Sequence, residues 1–208
     1  MLDLPSEFAA VVRQHAVDFL TVGMLSRDDR VFPLGTDTKV LSTVFELFTK
    51  PLVLDIATRH GYHLEESKQT VYPDFTLLRS AEDREKIAID VKTTYRRPEI
   101  GYTLGSYTSY LRNGTKNIAY PYDEYRTHWV IGFVYTRREG AIGDICTLDK
   151  RKSITPPYQD VEWFVQEKFK IGGESPGSGN TANIGSIRAT SLEPFARGQG
   201  PFATLGED

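Results

Sequence analysis

The sequence predicts an α/β or α+β fold in which helices flank a mixed central β-sheet. Residues 86–93 alternate strictly, so that Asp90 and Lys92 share one face and branched apolar side chains occupy the other. Residues 129–136 are apolar on both faces, which indicates a central, buried strand. Apolar positions within the first 61 residues recur at helical spacing, which predicts helices before the first long strand.

The N-terminal region is predicted to form a helix followed by a hairpin. Apolar residues lie roughly on one side of an amphipathic helix at residues 5–20. Two short strands at residues 21–25 and 30–34 flank the polar turn 27–29, so we expect a β-hairpin there.

A second helix is predicted to begin after Asp37, a good N-cap residue. Its apolar positions cover much of its circumference, which predicts that it is largely buried. Pro51 is expected to break or restart this helix, because proline lacks the N–H that the helix needs. The second part then ends at Gly61.

Further strands follow in the middle of the chain. Residues 71–78 and 86–93 are predicted to pair as a hairpin around the charged turn 79–85. Residues 161–171 fit a strand or a helix equally well, because periodicity does not separate the two. After them, residues 172–186 are rich in Gly, Ser and Asn and are predicted to form a long loop.

Composition limits the class of protein. The 208 residues are expected to form a single domain, 1–208, with 39% hydrophobic residues to supply its core. No apolar run reaches membrane-spanning length, and the N-terminus lacks the pattern of a signal peptide. With the single cysteine, Cys146, these features favour a cytoplasmic protein that has no membrane partner. The net charge of −3 does not by itself indicate nucleic-acid binding, so that function requires a local basic surface.

The side chains that indicate chemistry are Asp74, Asp90 and Lys92. Asp90 and Lys92 project from the same face of one strand, and Asp74 follows Pro73 on the preceding strand. If the strands form a hairpin, the two carboxylates converge. Carboxylates bind Mg²⁺, which activates a water for phosphodiester hydrolysis, and a lysine can orient that water or stabilise the phosphate. The pattern predicts a magnesium-dependent nuclease.

The same pattern has a structural alternative. Pro-Asp followed by Asp-x-Lys occurs by chance in roughly 2–5% of chains of this length, so the string is weak evidence alone. The acids interrupt apolar strands, where a charge is costly without a purpose, and this favours the nuclease. Glu46 lies on an otherwise largely apolar helix. It is either a solvent-facing acid, the commoner case, or a further catalytic and metal-binding carboxylate.

Longer segments resemble a known family. Pro73-Asp74 and Asp90-Val91-Lys92 match the PD-(D/E)XK nuclease pattern, and the chain resembles the EcoRV family of type II restriction endonucleases. The resemblance covers most of the chain in the same order. It rests on the segments PLGTDTKVLSTVFELF (33–48), YPDFTLL (72–78), KIAIDVKTTY (86–95), TLGSYTSYLRNGTKNIAYP (103–121), HWVIGFVYTR (128–137) and GSGNTANIGSI (177–187).

The resemblance implies a restriction-endonuclease-like fold and a homodimer that cuts a double-stranded palindrome. In that family the palindrome is GATATC, cut at its centre to give blunt ends with 5′-phosphates. Asp74, Asp90 and Lys92 fall on the catalytic positions, and Glu46 falls on the acidic helix position. Residues 18–34 and 144–158 resemble the dimerisation subdomain, where Cys146 is expected only to pack. A partner DNA methyltransferase is expected in the host.

The resemblance also assigns DNA contacts. Residues 172–187 correspond to the recognition loop, whose tip reads the major groove, and a second loop contacts the minor groove. Without the resemblance, a stretch rich in Gly, Ser and Asn is more often a flexible loop that has no role in recognition. The recognition residues are Gly177, Ser178, Gly179, Asn180 and Thr181, with Asn183 beside them. The minor-groove residues are Lys68, Gln69 and Thr70, and the remaining contacts, mainly to the backbone, are Thr93, Thr94, Ser109, Lys116 and Lys39.

The chain departs from the family at specific points, and two other functions remain open. The minor-groove loop is one residue shorter, Val91 replaces an isoleucine, and Arg96 and Arg97 replace a longer polar run. One alternative is a repair or junction-resolving nuclease with the same fold. The other is a sequence-specific DNA-binding protein that does not cut.

Overall fold

The computed structural model describes residues 2–106, 117–140, 143–177 and 183–204. Short 3₁₀ turns connect several of its strands. In chain order its helices and strands are α1 (Leu4–His15), β1 (Gly23–Leu25), β2 (Arg30–Pro33), α2 (Thr38–Arg59), β3 (His63–Glu66), β4 (Phe75–Leu78), β5 (Lys86–Tyr95), β6 (Thr103–Ser106), β7 (Tyr125–Arg137), β8 (Cys146–Thr147), β9 (Tyr158–Glu167), β10 (Gly172–Pro176), β11 (Asn183–Ser186) and α3 (Glu193–Ala196).

A five-stranded mixed sheet, in the order β3-β4-β5-β7-β9, forms the centre of the fold. Strands β5 and β7 pair in parallel, and the other neighbours pair antiparallel. The three longest strands, β5, β7 and β9, therefore lie side by side, and β7 is buried along most of its length, as its apolar sequence predicts. The predicted mixed sheet flanked by helices is confirmed.

Helix α1 is shorter than the predicted helix at residues 5–20. Asp3 caps its start by accepting a hydrogen bond from the amide of Ser6 at 3.3 Å. It ends at His15 because Ala16 adopts a left-handed conformation, with φ 49°, and its N–H bonds back to the carbonyl of Arg13. The following residues turn toward the hairpin β1–β2, which forms as predicted.

Helix α2 begins as predicted but is not broken at Pro51. The carboxylate of Asp37 accepts hydrogen bonds from the amides of Lys39 and Val40 at 2.9 and 3.2 Å. The helix continues without interruption to Arg59. Pro51 leaves the carbonyl one turn earlier without its N–H partner, but that turn faces solvent, where Leu47 is 65% exposed. The second half of α2 is held by its buried apolar face, so packing outweighs the missing hydrogen bond.

Two apolar layers cover the faces of the central sheet. Helices α1 and α2 lie over one face, where Phe45 stacks on Phe133 with ring centroids 4.8 Å apart. On the other face, Val130, Val134 and Phe164 pack against the layer formed by β6, β10, β11 and α3. Each strand thus presents alternate residues to two different layers, which fixes its register.

Two smaller sheets flank the central one. Strands β1, β2 and β8 form one, which joins the two segments predicted to form a dimerisation subdomain. Strands β10, β11 and β6 form the other, so residues 172–176 and 183–186 are paired strands where a long loop was predicted. Residues 158–167 form β9, a strand, which resolves the ambiguity at 161–171. Within the described residues, no helix is both long and apolar enough to cross a membrane.

Candidate active site

The predicted pair of acids lies on the hairpin β4–β5. Phe75 pairs with Ile89 in an antiparallel register, and the same register extended by one residue sets Asp74 opposite Asp90. Asp74 itself lies just before β4, although the predicted strand began at residue 71. The preceding segment leaves the sheet because Tyr72 forms a separate bridge with Ile118. The structure therefore brings the two carboxylates together as predicted.

Asp90 and Lys92 form an ion pair on β5. Asp90 is buried, with 3% of its surface exposed, and its Oδ2 lies 2.6 Å from Lys92 Nζ. Apart from this pair, Oδ2 has no hydrogen-bond partner among the described residues. A buried carboxylate oxygen that lacks hydrogen bonds is costly in a structural role, because few groups compensate for its lost hydration.

A backbone hydrogen bond holds Asp74 in place. Its Oδ2 accepts the amide proton of Val91 at 2.6 Å, so the carboxylate bridges the two strands between Asp90 and Lys92. Burial and the negative charge of Asp90 raise the pKa of Asp74 well above its ordinary value. Lys92 and the Val91 amide oppose this rise without cancelling it. The two acids therefore share a region where adding positive charge is favourable.

Lys92 keeps its positive charge. Burial lowers the pKa of its ammonium, but the charges of Asp90 and Asp74 outweigh burial, so the pKa lies above its ordinary value. Its side chain is 24% exposed, so Lys92 is not sealed off from solvent. Lys92 is therefore a fixed cation at the edge of the site and not a neutral amine.

Glu46 lies beside this group on α2. It lines the same cleft as Asp74, and burial raises the pKa of its carboxyl, with Lys92 acting against that rise. Among the described residues, however, no three acidic, histidine or cysteine side chains come together as a cage for a metal ion. The structure places Glu46 at the edge of the site and only Asp74 and Asp90 at its centre.

These residues fit a Mg²⁺ ion. Magnesium uses one or two protein carboxylates and completes its shell with water and substrate oxygens, so a full protein cage is not required. Oδ2 of Asp90, which among the described residues is paired only with the Lys92 ammonium, would be one such ligand, and the neighbouring carboxylate of Asp74 would be a second. The donor set therefore suits a hard, oxygen-preferring cation.

A cleft of about 370 Å³ opens beside Asp74. The predicted minor-groove residues lie on its wall, in an exposed turn closed by the hydrogen bond from the Val71 amide to the carbonyl of Lys68 at 3.0 Å. Thr70 has a positive φ of 70°, which orients this turn. The structure thus brings Lys68, Gln69 and Thr70 to the same cleft as the candidate catalytic carboxylates.

The predicted backbone contacts are only partly described. Thr93 and Thr94 extend β5 beyond Lys92 and are partly exposed. The hydroxyl of Thr93 lies 2.6 Å from that of Ser42 on α2, a residue that the sequence patterns did not single out. Lys39 is exposed one turn before Ser42. The predicted contacts Ser109 and Lys116 lie outside the described residues.

The predicted recognition loop is described at its two ends. Gly177 follows β10, and its amide donates to the carbonyl of Asn183, the first residue of β11, at 2.8 Å. A Cβ at Gly177 would lie 3.0 Å from the carbonyl oxygen of Ile184, so a larger residue here would press on β11. The tip between these strands lies outside the described residues and comprises the predicted contacts Ser178, Gly179, Asn180 and Thr181.

The residues that the sequence analysis missed contact the segment that leads into Asp74. Tyr72, two residues before it, donates or accepts a hydrogen bond with the buried His128 at 2.8 Å, and the ammonium of Lys168 lies 4.4 Å from the Tyr72 ring centroid. The sequence carried one signal of this cluster, since His128 directly precedes the apolar run 129–136. Nothing in the local pattern indicated Lys168.

The fold and this group of residues define a class of protein. A mixed sheet flanked by helices, with two carboxylates and a lysine on adjoining strands, is the arrangement of nucleases with the restriction-endonuclease fold. The family model for restriction endonuclease EcoRV matches residues 15–208. The chain is also 50% identical over 191 residues to the type II restriction enzyme EcoRV of Escherichia coli, a match that covers 89% of this chain and 78% of that protein. The chain belongs to the EcoRV family of restriction endonucleases.

Proposed function

We propose that this chain is a Mg²⁺-dependent endonuclease that hydrolyses both strands of a palindromic DNA site, GATATC, at its centre and leaves blunt 5′-phosphate ends. One observation carries the proposal: Asp74 and Asp90 adjoin in register, with the charged Lys92 beside them and a cleft opening at Asp74. Membership of the EcoRV family supports the same chemistry.

Each residue has a defined task in this proposal. Asp90 and Asp74 would hold the ion, with Glu46 as an additional acid that adjusts the local charge. When bound, Mg²⁺ supplies a water of lowered pKa and offsets negative charge on the phosphate. The Val91 amide keeps the Asp74 carboxylate oriented, which limits the reorganisation required when the substrate arrives.

Lys92 would act as a charged donor and not as a base. Because its pKa is raised, it carries a proton throughout the neutral range. Its exposed portion can donate to a phosphate oxygen, and its pairing with Asp90 fixes its position on a rigid strand. The negative charge that develops on the phosphate in the transition state strengthens this contact, so the lysine contributes mainly to the rate.

DNA recognition is proposed at two loops. The tip between β10 and β11 would read base edges in the major groove, where backbone amides and an asparagine can approach adenine. Lys68, Gln69 and Thr70, at the cleft, would enter the minor groove, and Thr93, Thr94 and Lys39 would contact phosphates. Only the matching site would bend so that the phosphate reaches the acids, so specificity would lie largely in cleavage.

A homodimer is proposed so that each subunit cuts one strand. The sheet β1-β2-β8 and its neighbouring turns carry large apolar side chains in solvent, which is typical of a protein interface. This surface joins the two segments predicted for dimerisation. The exposed side chains are Leu20 at 39%, Met24 at 62%, Leu25 at 57%, Ile145 at 52% and Leu148 at 36%.

A plasmid digest tests the proposal. Wild type with Mg²⁺ is compared with Asp90→Ala and with Glu82→Ala, which removes an exposed carboxylate in the turn of the same hairpin. We expect blunt cuts at GATATC from wild type and Glu82→Ala, and no cuts but retained DNA binding from Asp90→Ala. Cleavage by Asp90→Ala would overturn the assignment of the site.

Other outcomes separate the alternatives. Cuts at a different fixed palindrome would keep the chemistry and reject the assignment of the β10–β11 loop to GATATC. A preference for branched or damaged DNA would favour the repair or junction nuclease. Binding to a palindrome without any cleavage by wild type would favour the DNA-binding protein.

A further inference from the structure

A buried polar cluster lies behind Asp74, on the side of the sheet that carries Asp90. Its members are Tyr72, His128 and Lys168, and both His128 and Lys168 are almost fully buried, at 1% and 6% exposed. Tyr122 stacks on the imidazole, with ring centroids 4.2 Å apart. None of these groups takes part in the proposed chemistry, and burying them has a free-energy cost that their hydrogen bonds and ring contacts must offset.

The cluster is joined to Asp74 through the backbone. Tyr72 precedes Asp74 by two residues, and its hydroxyl is fixed by the 2.8 Å hydrogen bond to His128 Nδ1. Its backbone is also held, because its amide donates to Asn117 and its carbonyl accepts from Ala119, both at 2.8 Å. The segment that leads into Asp74 is therefore held by its side chain and by its main chain.

The cluster is joined equally to the β10–β11 hairpin. Lys168 lies directly before the turn that leads into β10, and its carbonyl accepts the amide of Gly172 at 3.1 Å. Its ammonium lies 4.4 Å from the Tyr72 ring centroid. Lys168 therefore contacts Tyr72 through its side chain and the first residue of β10 through its backbone carbonyl.

We propose that Tyr72, His128 and Lys168 are positioning residues that set the Asp74 carboxylate relative to the β10–β11 hairpin. The inference rests on the proposed function, in which that hairpin carries the recognition loop and Asp74 belongs to the reaction centre. A contact at the hairpin changes the cleavage rate through this cluster, because any shift of β10 moves the ammonium that packs on Tyr72. The neutral His128 fixes the Tyr72 hydroxyl without adding a charge to the site.

The first test does not require activity. The Val91 amide donates to the Asp74 carboxylate, so its hydrogen-exchange rate measured by NMR reports the position of that carboxylate. Loss of one hydrogen bond in Tyr72→Phe should speed Val91 exchange by about 3- to 10-fold, while the amides of β7 keep their rates. The matched control is Tyr125→Phe, which removes another buried hydroxyl, bonded to Thr76 at 3.0 Å, and should leave Val91 unchanged. An unchanged Val91 rate in Tyr72→Phe would refute the positioning role.

The second test separates positioning from binding. Single-turnover cleavage of a GATATC duplex should slow about 3- to 10-fold in Tyr72→Phe and in Lys168→Met, with affinity within about twofold when measured in the Asp90→Ala background. Asparagine at His128 retains a polar atom near Nδ1, so His128→Asn should keep most of the rate that His128→Leu loses. If the two residues act together, the double variant Tyr72→Phe/Lys168→Met should cleave at about the rate of the slower single variant.

Each result has a defined meaning. Fully additive losses in the double variant would remove Lys168 from the proposal, because the two residues would then act separately. If Tyr72→Phe lowers DNA affinity and thermal stability together with the cleavage rate, the role of Tyr72 is purely structural and the proposal is overturned. If wild type cuts no DNA but Val91 responds as expected, the positioning of Asp74 stands and the proposed function fails.

Discussion

Replacing His128 with asparagine should change how the stability of this protein depends on pH. Burial, with the charge of Lys168 acting in the same direction, lowers the pKa of His128 from 6.5 to about 3. The groups that face the imidazole are Tyr72, Tyr122 and Tyr125, and none is an acid that would stabilise a protonated ring. The folded protein therefore keeps His128 neutral far below the pH at which the unfolded chain takes up a proton.

The sign and magnitude follow from linkage. Below pH 6.5 the unfolded chain binds one more proton at this residue than the folded protein does, so the free energy of unfolding falls as the pH falls. The fall is about 1.4 kcal/mol per pH unit, or about 2 kcal/mol between pH 6.5 and pH 5. His128→Asn lacks the titrating group. Between pH 6.5 and pH 5 its free energy of unfolding should therefore fall by about 2 kcal/mol less than that of the wild type.

Urea denaturation at several pH values measures this difference. Both proteins are unfolded between pH 7.5 and pH 5, and the free energies of unfolding are compared as a difference at each pH. The other three histidines and the carboxylates are present in both proteins and cancel in the difference. The wild type should lose stability faster than the variant as pH falls. Parallel curves would refute the claim that His128 is neutral because it is buried.

Three further predictions concern the core, the dimer and the DNA contacts. Phe45→Ala should lower the free energy of unfolding, measured by urea denaturation, by about 3–5 kcal/mol, because the ring is fully buried in an aromatic stack. The control is Leu47→Ala on the same helix, where the side chain is 65% exposed and the loss should be under about 0.5 kcal/mol. Equal losses in the two variants would contradict the packing. Met24→Glu should shift the protein toward monomer in analytical ultracentrifugation, while Leu54→Glu, exposed on α2, should not; an unchanged dimer would place the interface elsewhere. Lys39→Ala, which removes an exposed cation proposed to contact a phosphate, should reduce the slope of log K against log [salt] for DNA binding by about 1, and an unchanged slope would exclude that contact.

The sequence alone determined the strands that carry the site. The alternation of residues 86–93 predicted that Asp90 and Lys92 share a face, and the structure pairs them at 2.6 Å. The hairpin that brings Asp74 to Asp90 was likewise predicted, because the charged turn 79–85 separates two segments with strand patterns. These features depend on contacts between residues close in the chain, and local periodicity records such contacts directly.

Other local predictions failed where packing between distant segments outweighed local preference. Pro51 was expected to break α2, but the buried apolar face of the helix keeps it continuous. Residues 172–176 and 183–186 were expected to be loop, and they pair with each other and with β6 instead. Glycine and serine give no strand signal, so only a neighbouring strand specifies their conformation.

What only the tertiary structure decided is how the parts of the site meet. The contact of Ser42 with Thr93 joins residues 51 positions apart, and that of Tyr72 with His128 joins residues 56 positions apart. Lys168 reaches Tyr72 from the residue directly after β9, the edge strand of the central sheet. Periodicity specifies which face of an element a side chain occupies, but not which element covers that face. The chemistry of the candidate site was therefore readable in the sequence, while its support depends on contacts that exist only once the sheet has assembled.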